Sequence, residues 1–174
     1  SASMTLVLSL QNDSFFELFS SVDERSAAYM ACGLSGECGE PVSIICTGAT
    51  ASRNYLPGLT EAYYRKLPIL AITATKTLPH VGHHIAQVID RSVMPKDTVI
   101  HSVALPDVKD NEDFRDCEMK VNRALLEMTR RGGGPVHINL PTTYSQNYEV
   151  RALPDVRVIK RYSTGVDLPT LPDG

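Results

Sequence analysis

PVSIICTGATASRNYLPGLTEAYYRKLPILAITA, residues 41–74, holds two apolar runs of strand length with a helix-period segment between them. The runs at 42–46 and 69–73 are nearly continuous in Val, Ile, Leu and Ala. Strands of that kind are buried on both faces, as in a parallel sheet covered by helices. The segment 52–66 between them has helical spacing, so the stretch reads as strand, helix, parallel strand. The same alternation continues on either side. Further strands are expected at 17–22, 98–103 and 136–140, and further helices at 24–36, 113–131 and, more briefly, near 84–90. The expected fold is α/β: a three-layer doubly wound parallel sheet with helices on both faces.

The helix at 113–131 has the clearest pattern. Phe114, Cys117, Val121, Leu125 and Met128 fall three to four apart and predict one buried stripe. Gly132, Gly133 and Gly134 stop it, and Pro135 leads into the strand VHINL. Residues 4–10 read as a helix with no strand before it, so a first strand is expected to be missing. Beyond Pro141 the pattern decays through Pro154, Pro169 and Pro172, with 156–159 as a lone edge strand. The expected division is a domain over 1–141 and a linker over 142–174 leading toward an absent domain.

A chain of 174 residues has room for one domain, with or without a tail. Hydrophobic residues at 43% and charged ones at 21% argue against wholesale disorder. A net charge of -3 gives no electrostatic support to nucleic-acid binding. The apolar runs are too short to span a bilayer. No basic stretch followed by an apolar one opens the sequence, so no secretory signal is read. Cys32, Cys38, Cys46 and Cys117 form no CxxC pair; they read as free, buried thiols of a reducing compartment, the cytoplasm.

Ligands of doubly wound sheets bind beyond the carboxyl ends of the strands. Glu24 stands at such an end, where an expected strand gives way to a helix and Asp23 can cap it. Position alone equally suits an acidic residue that merely complements the helix dipole. The turn Thr47-Gly48-Ala49-Thr50 follows the next strand, and Gly48 permits close approach of backbone. It is not a phosphate loop, because neither GxxxxGK[ST] nor GxGxxG occurs. Asn54 lies at the start of the next helix, and Gln87 interrupts the apolar run HIAQVIDR. His80, His83 and His84 in PHVGHH have no carboxylate at ligand spacing, so a polar loop is the simpler reading than a metal site. Arg130 and Arg131 suit a solvated last helical turn, and GxSxG is absent.

Taken in order, VDERSAAYMACGL, the stretch 41–74, IAQVIDR and GGGPVHINLP resemble the pyrimidine-binding domain of thiamine-diphosphate enzymes. The likeness covers residues 1–141 and is nearest the acetolactate synthase and pyruvate oxidase superfamily, in its menaquinone-biosynthesis synthase branch. In that family a glutamate at the place of Glu24 donates a hydrogen bond to N1′ of the aminopyrimidine, favouring the imino tautomer that activates the thiazolium. The cofactor then carries the decarboxylation of a 2-keto acid, while protein groups set geometry and protonation. The resemblance further implies that Gly48, Ala49, Thr50 and Asn54 bind the cofactor and that Gln87 lies in the active-site wall.

Two departures bear on the substrate. Ala2 stands where the menaquinone branch has an arginine that helps hold an acidic substrate, and the loop 75–84 differs from the usual form. The family binds the diphosphate through Mg²⁺ in a separate domain with a GDG motif, which this sequence lacks. The resemblance therefore implies the pyrimidine half of a cofactor site, inactive alone and completed by a diphosphate-binding domain. That domain belongs either to the same longer protein or to a second subunit of a split decarboxylase. A homodimer is expected. The alternative from another class is a non-catalytic α/β binding module that keeps the sheet without the chemistry.

Overall fold

The computed structural model describes residues 3–76, 78–142 and 155–162. Ala2, most of the expected linker and the prolines after Pro141 lie outside them. The elements run α1 (Met4–Gln11), α2 (Glu24–Cys38), β1 (Val42–Cys46), α3 (Thr50–Asn54), α4 (Leu56–Arg65), β2 (Ile69–Thr75), β3 (His101–Ala104), α5 (Asn111–Thr129) and β4 (Val136–Pro141). The four strands form one sheet in the order β1-β2-β4-β3, and every neighbouring pair is parallel.

Residue alternation along the strands sorts the core into two layers. Ile44, Cys46, Ile69 and Ala71 face α2 and α4, against Ala28, Ala31, Leu59 and Ala62. Val136 and Ile138, with Leu70, Ile72 and Val103, face the Ala124 and Met128 side of α5. The connections β1 to β2 and β3 to β4 step in opposite directions across the sheet. Right-handed crossovers then place their helices on opposite faces, which gives the expected three layers. Gly58 lets α4 press on α2, since a Cβ there would lie 2.5 Å from Ala28 Cβ.

Several expected elements differ. Residues 17–22 form no strand. Among the described residues nothing pairs with them, and Phe19 and Val22 are exposed although their composition suits a sheet. β propensity reflects packing in a ladder, and here no ladder is supplied. The single helix expected over 52–66 is two, broken at Tyr55. Pro57 cannot donate into the ladder and its ring opposes the carbonyl four residues back. The helix expected near 84–90 is a series of turns in which His84 and Gln87 have φ of 54° and 63°. The third strand begins only at His101, after a turn closed by Thr98 Oγ1 on the Pro95 carbonyl.

On α5 the buried stripe passes through Ala124 to Met128, and Leu125 is exposed, one position round the helix. Residues 156–159 are not an edge strand. Their backbone bonds to side chains of α5: Arg157 N donates to Glu118, Asn122 Nδ2 to the Arg157 carbonyl, and Ile159 N to Asn122 Oδ1. All four cysteines are free; Cys32 and Cys46 are buried, Cys117 is half-buried, and Cys38 is exposed instead of buried.

Candidate functional site

The carboxyl ends of β1, β2 and β4 gather the turn 47–50, the segment 85–91 and the start of α2. Asp23 caps α2, accepting from Ser26 N at 2.8 Å and from Ser26 Oγ at 2.6 Å. These bonds hold the Asp23 carboxyl below the usual carboxylate range. Because Asp23 serves the first turn, Glu24 is not needed as the cap.

Glu24 is half-buried. Its charge reaches two neutral side chains at the end of β1. Burial pushes the Cys46 thiol up to about 11, and Glu24 adds to the shift. The Tyr55 phenol is raised by burial, then by Cys46, with which it shares a hydrogen bond, and by Glu24. Both groups therefore stay protonated at neutral pH. Among the described residues, no hydrogen bond or ion pair takes up the Glu24 carboxyl. The Glu24 carboxyl is thus half-buried and unengaged beside two protonated side chains.

Gly48 is buried in the turn. A Cβ added there would lie 2.8 Å from the Gln87 carbonyl oxygen and 3.0 Å from that of Ala74. The glycine thus lets three backbone segments close on one another. Ala49 has φ 61° and ψ -137°, a conformation L-residues seldom adopt. Thr50 is exposed and opens α3, while Asn54 closes it half-buried. The Gln87 side chain is exposed, and its backbone rather than its amide meets the turn. His80, His83 and His84 are exposed, and among the described residues no three His, Cys, Asp or Glu side chains gather as a metal site. Among the described residues, no helix is long and apolar enough to cross a membrane.

Behind the turn lies a buried polar chain that sequence reasoning missed. Ser102 Oγ and His137 Nδ1 are 2.8 Å apart, as are His137 Nε2 and Thr73 Oγ1. Thr73 Oγ1 donates to Asn139 Oδ1, so it accepts from His137 Nε2–H, and Ser102 donates to Nδ1. Arg91 Nε donates to the same Asn139 oxygen at 3.1 Å, Arg91 also reaches Ser52 Oγ and the Ala74 carbonyl, and Ser52 Oγ donates to the Ala49 carbonyl. Burial holds His137 down at about 4, and the charges of Arg91 and Arg53 act the same way. Strand register offered a signal, because Thr73 pairs with Asn139 and Ser102 with His137. Polar residues at alternate positions of a buried strand imply a shared polar face. Arg91, after Asp90, gave no such signal.

The family model "Thiamine pyrophosphate enzyme, N-terminal TPP binding domain" matches residues 1–94, and the chain belongs to that family. The chain is 38% identical over 158 residues to a 2-succinyl-5-enolpyruvyl-6-hydroxy-3-cyclohexene-1-carboxylate synthase of Bacteroides thetaiotaomicron, covering 90% of this chain and 28% of that protein. A synthase of the same name from Phocaeicola vulgatus is 37% identical over 163 residues, covering 93% and 29%. The chain spans under a third of the length of these curated relatives. Its fold matches a benzoylformate decarboxylase from Polynucleobacter necessarius with a TM-score of 0.70 at 22% identity, over 94% of this chain and 29% of that one.

Proposed function

We propose that the chain is the pyrimidine-binding half of a thiamine-diphosphate-dependent lyase or transferase that decarboxylates a 2-keto acid, with residues 1–141 as the binding domain. The observation that carries the reading is the half-buried, unengaged Glu24 carboxyl at the sheet end, beside the turn that begins after Cys46. Glu24 holds the proton shared with ring nitrogen N1′. Gly48, Ala49 and Thr50 present backbone along the ring, and Asn54 and Gln87 border the site. Thiamine diphosphate, when bound, supplies the carbanion chemistry. The diphosphate and Mg²⁺ are held by a second domain, of the same protein or of a partner, and the working unit is a homodimer inactive without it.

The synthases named above support the family reading, while the 2-keto acid and its acceptor follow only by analogy. Calorimetric titration of thiamine diphosphate and Mg²⁺ into the protein complete with its diphosphate-binding domain is expected to show saturable binding. Absence of saturable heat would favour the non-catalytic module instead.

A further inference from the structure

The geometry points to Arg91 as a positioning residue that sets the turn 47–50 from inside the domain, acting through Ser52. Arg91 is 2% exposed, yet among the described residues no carboxylate pairs with it. An unpaired buried cation is expensive, and an apolar residue of similar volume fills core space more cheaply. What the guanidinium adds is connection. Its three nitrogens reach three elements: Asn139 of β4 at 3.1 Å, Ser52 of α3 at 3.3 Å and the Ala74 carbonyl of β2 at 3.4 Å.

The Ser52 hydroxyl then donates at 2.7 Å to the carbonyl of Ala49, the residue with φ 61°. A conformation of that kind persists only where its surroundings over-determine it. Three further contacts complete the clamp. The Gln87 and Ala74 carbonyls close on Gly48, and Arg53 Nη2 donates to the Asp90 carbonyl at 2.9 Å, tying α3 to the segment that carries Arg91. The strained turn is thereby anchored to the middle of the sheet. Its consequence for ligand affinity rests on the cofactor reading above; the anchoring itself does not.

Removal of Arg91 risks unfolding, so the discriminating variant is Ser52→Ala, which removes the hydroxyl that accepts from Arg91 Nη1 and donates to the Ala49 carbonyl while leaving the Arg91 bonds to Asn139 and Ala74 in place. The protein complete with its diphosphate-binding domain is compared as wild type, Ser52→Ala and Ser52→Thr. Amide hydrogen exchange at 47–50 is expected to accelerate roughly fivefold or more in Ser52→Ala, which loses both hydrogen bonds of the Ser52 hydroxyl, with β4 unaffected. The dissociation constant for thiamine diphosphate with Mg²⁺ is expected to rise by about the same factor. Ser52→Thr restores both. A lower melting temperature with unchanged exchange in the turn overturns the proposal, and a loosened turn with unchanged cofactor affinity overturns its consequence for ligand binding while the anchoring stands. If wild type binds no thiamine diphosphate while the turn still loosens, the anchoring stands and the cofactor reading fails.

Discussion

Replacing Glu24 by Gln is expected to lower kcat for 2-keto acid turnover by about 10²- to 10⁴-fold, the range for loss of a positioned proton donor. The glutamine amide keeps the size of the carboxyl and can still donate a hydrogen bond. It cannot share a titrating proton with a ring nitrogen. The fold should hardly register the change. Asp23 caps α2 through Ser26, and among the described residues no hydrogen bond or ion pair depends on the Glu24 carboxyl. Stability is therefore expected to stay within about 0.5 kcal/mol of wild type. Steady-state kinetics beside a thermal melt separates the two effects. Full turnover in Glu24→Gln would remove the residue from catalysis, and a large loss of stability would make it a structural group.

The second large effect is on acid stability. His137 is fully buried and is held near 4, below an ordinary value of 6.5. The causes are burial first, then the cations Arg91 and Arg53. The unfolded chain thus binds a proton that the folded chain refuses between those two pH values. The neutral imidazole contributes its full stabilisation above pH 6.5 and loses it as pH falls through the folded value near 4. The gap corresponds to roughly 3 kcal/mol. Protonation would also put a donor on Nδ1, which now accepts from Ser102. His137→Gln is expected to be less stable at neutral pH and to lose less between pH 6.5 and 4. Urea unfolding at both pH values measures this; parallel losses in the two proteins would contradict it.

Legibility differed by element for physical reasons. β1 and β2 declared themselves because strands buried on two faces need nearly continuous apolar runs, and β4 because the glycines that stop α5 and Pro135 lead into it. The capped start of α2 and the long α5 were equally plain, since Asp23 and Asp110 precede periodic segments. Residues 17–22 have the same composition as a strand, but composition cannot say whether a neighbouring edge is present. The turns at 84–90 turn on left-handed His84 and Gln87, neither a residue type that announces positive φ as glycine does. Tyr55 joins α3 to α4 where the spacing ran straight through, although Pro57 marked the break.

At the candidate site, the expectation of Glu24, Gly48, Ala49, Thr50, Asn54 and Gln87 rests mainly on family resemblance. Their local patterns suited ordinary caps and turns. The structure adds the support behind them. Cys46 and Tyr55 border Glu24, and Arg91 joins β2, β4 and α3 to the Ala49 turn. Contacts between residues as far apart as Ser52, Arg91 and Asn139 have no local sequence signature, because only the closed sheet brings them together.

The most direct measurement is a crystal structure of the complete protein with thiamine diphosphate and Mg²⁺ bound. The account predicts a Glu24 carboxyl oxygen within hydrogen-bond reach of N1′, roughly 2.5–3.0 Å. A ring bound elsewhere, or one whose N1′ meets a different side chain or water while Glu24 turns to solvent, would contradict it.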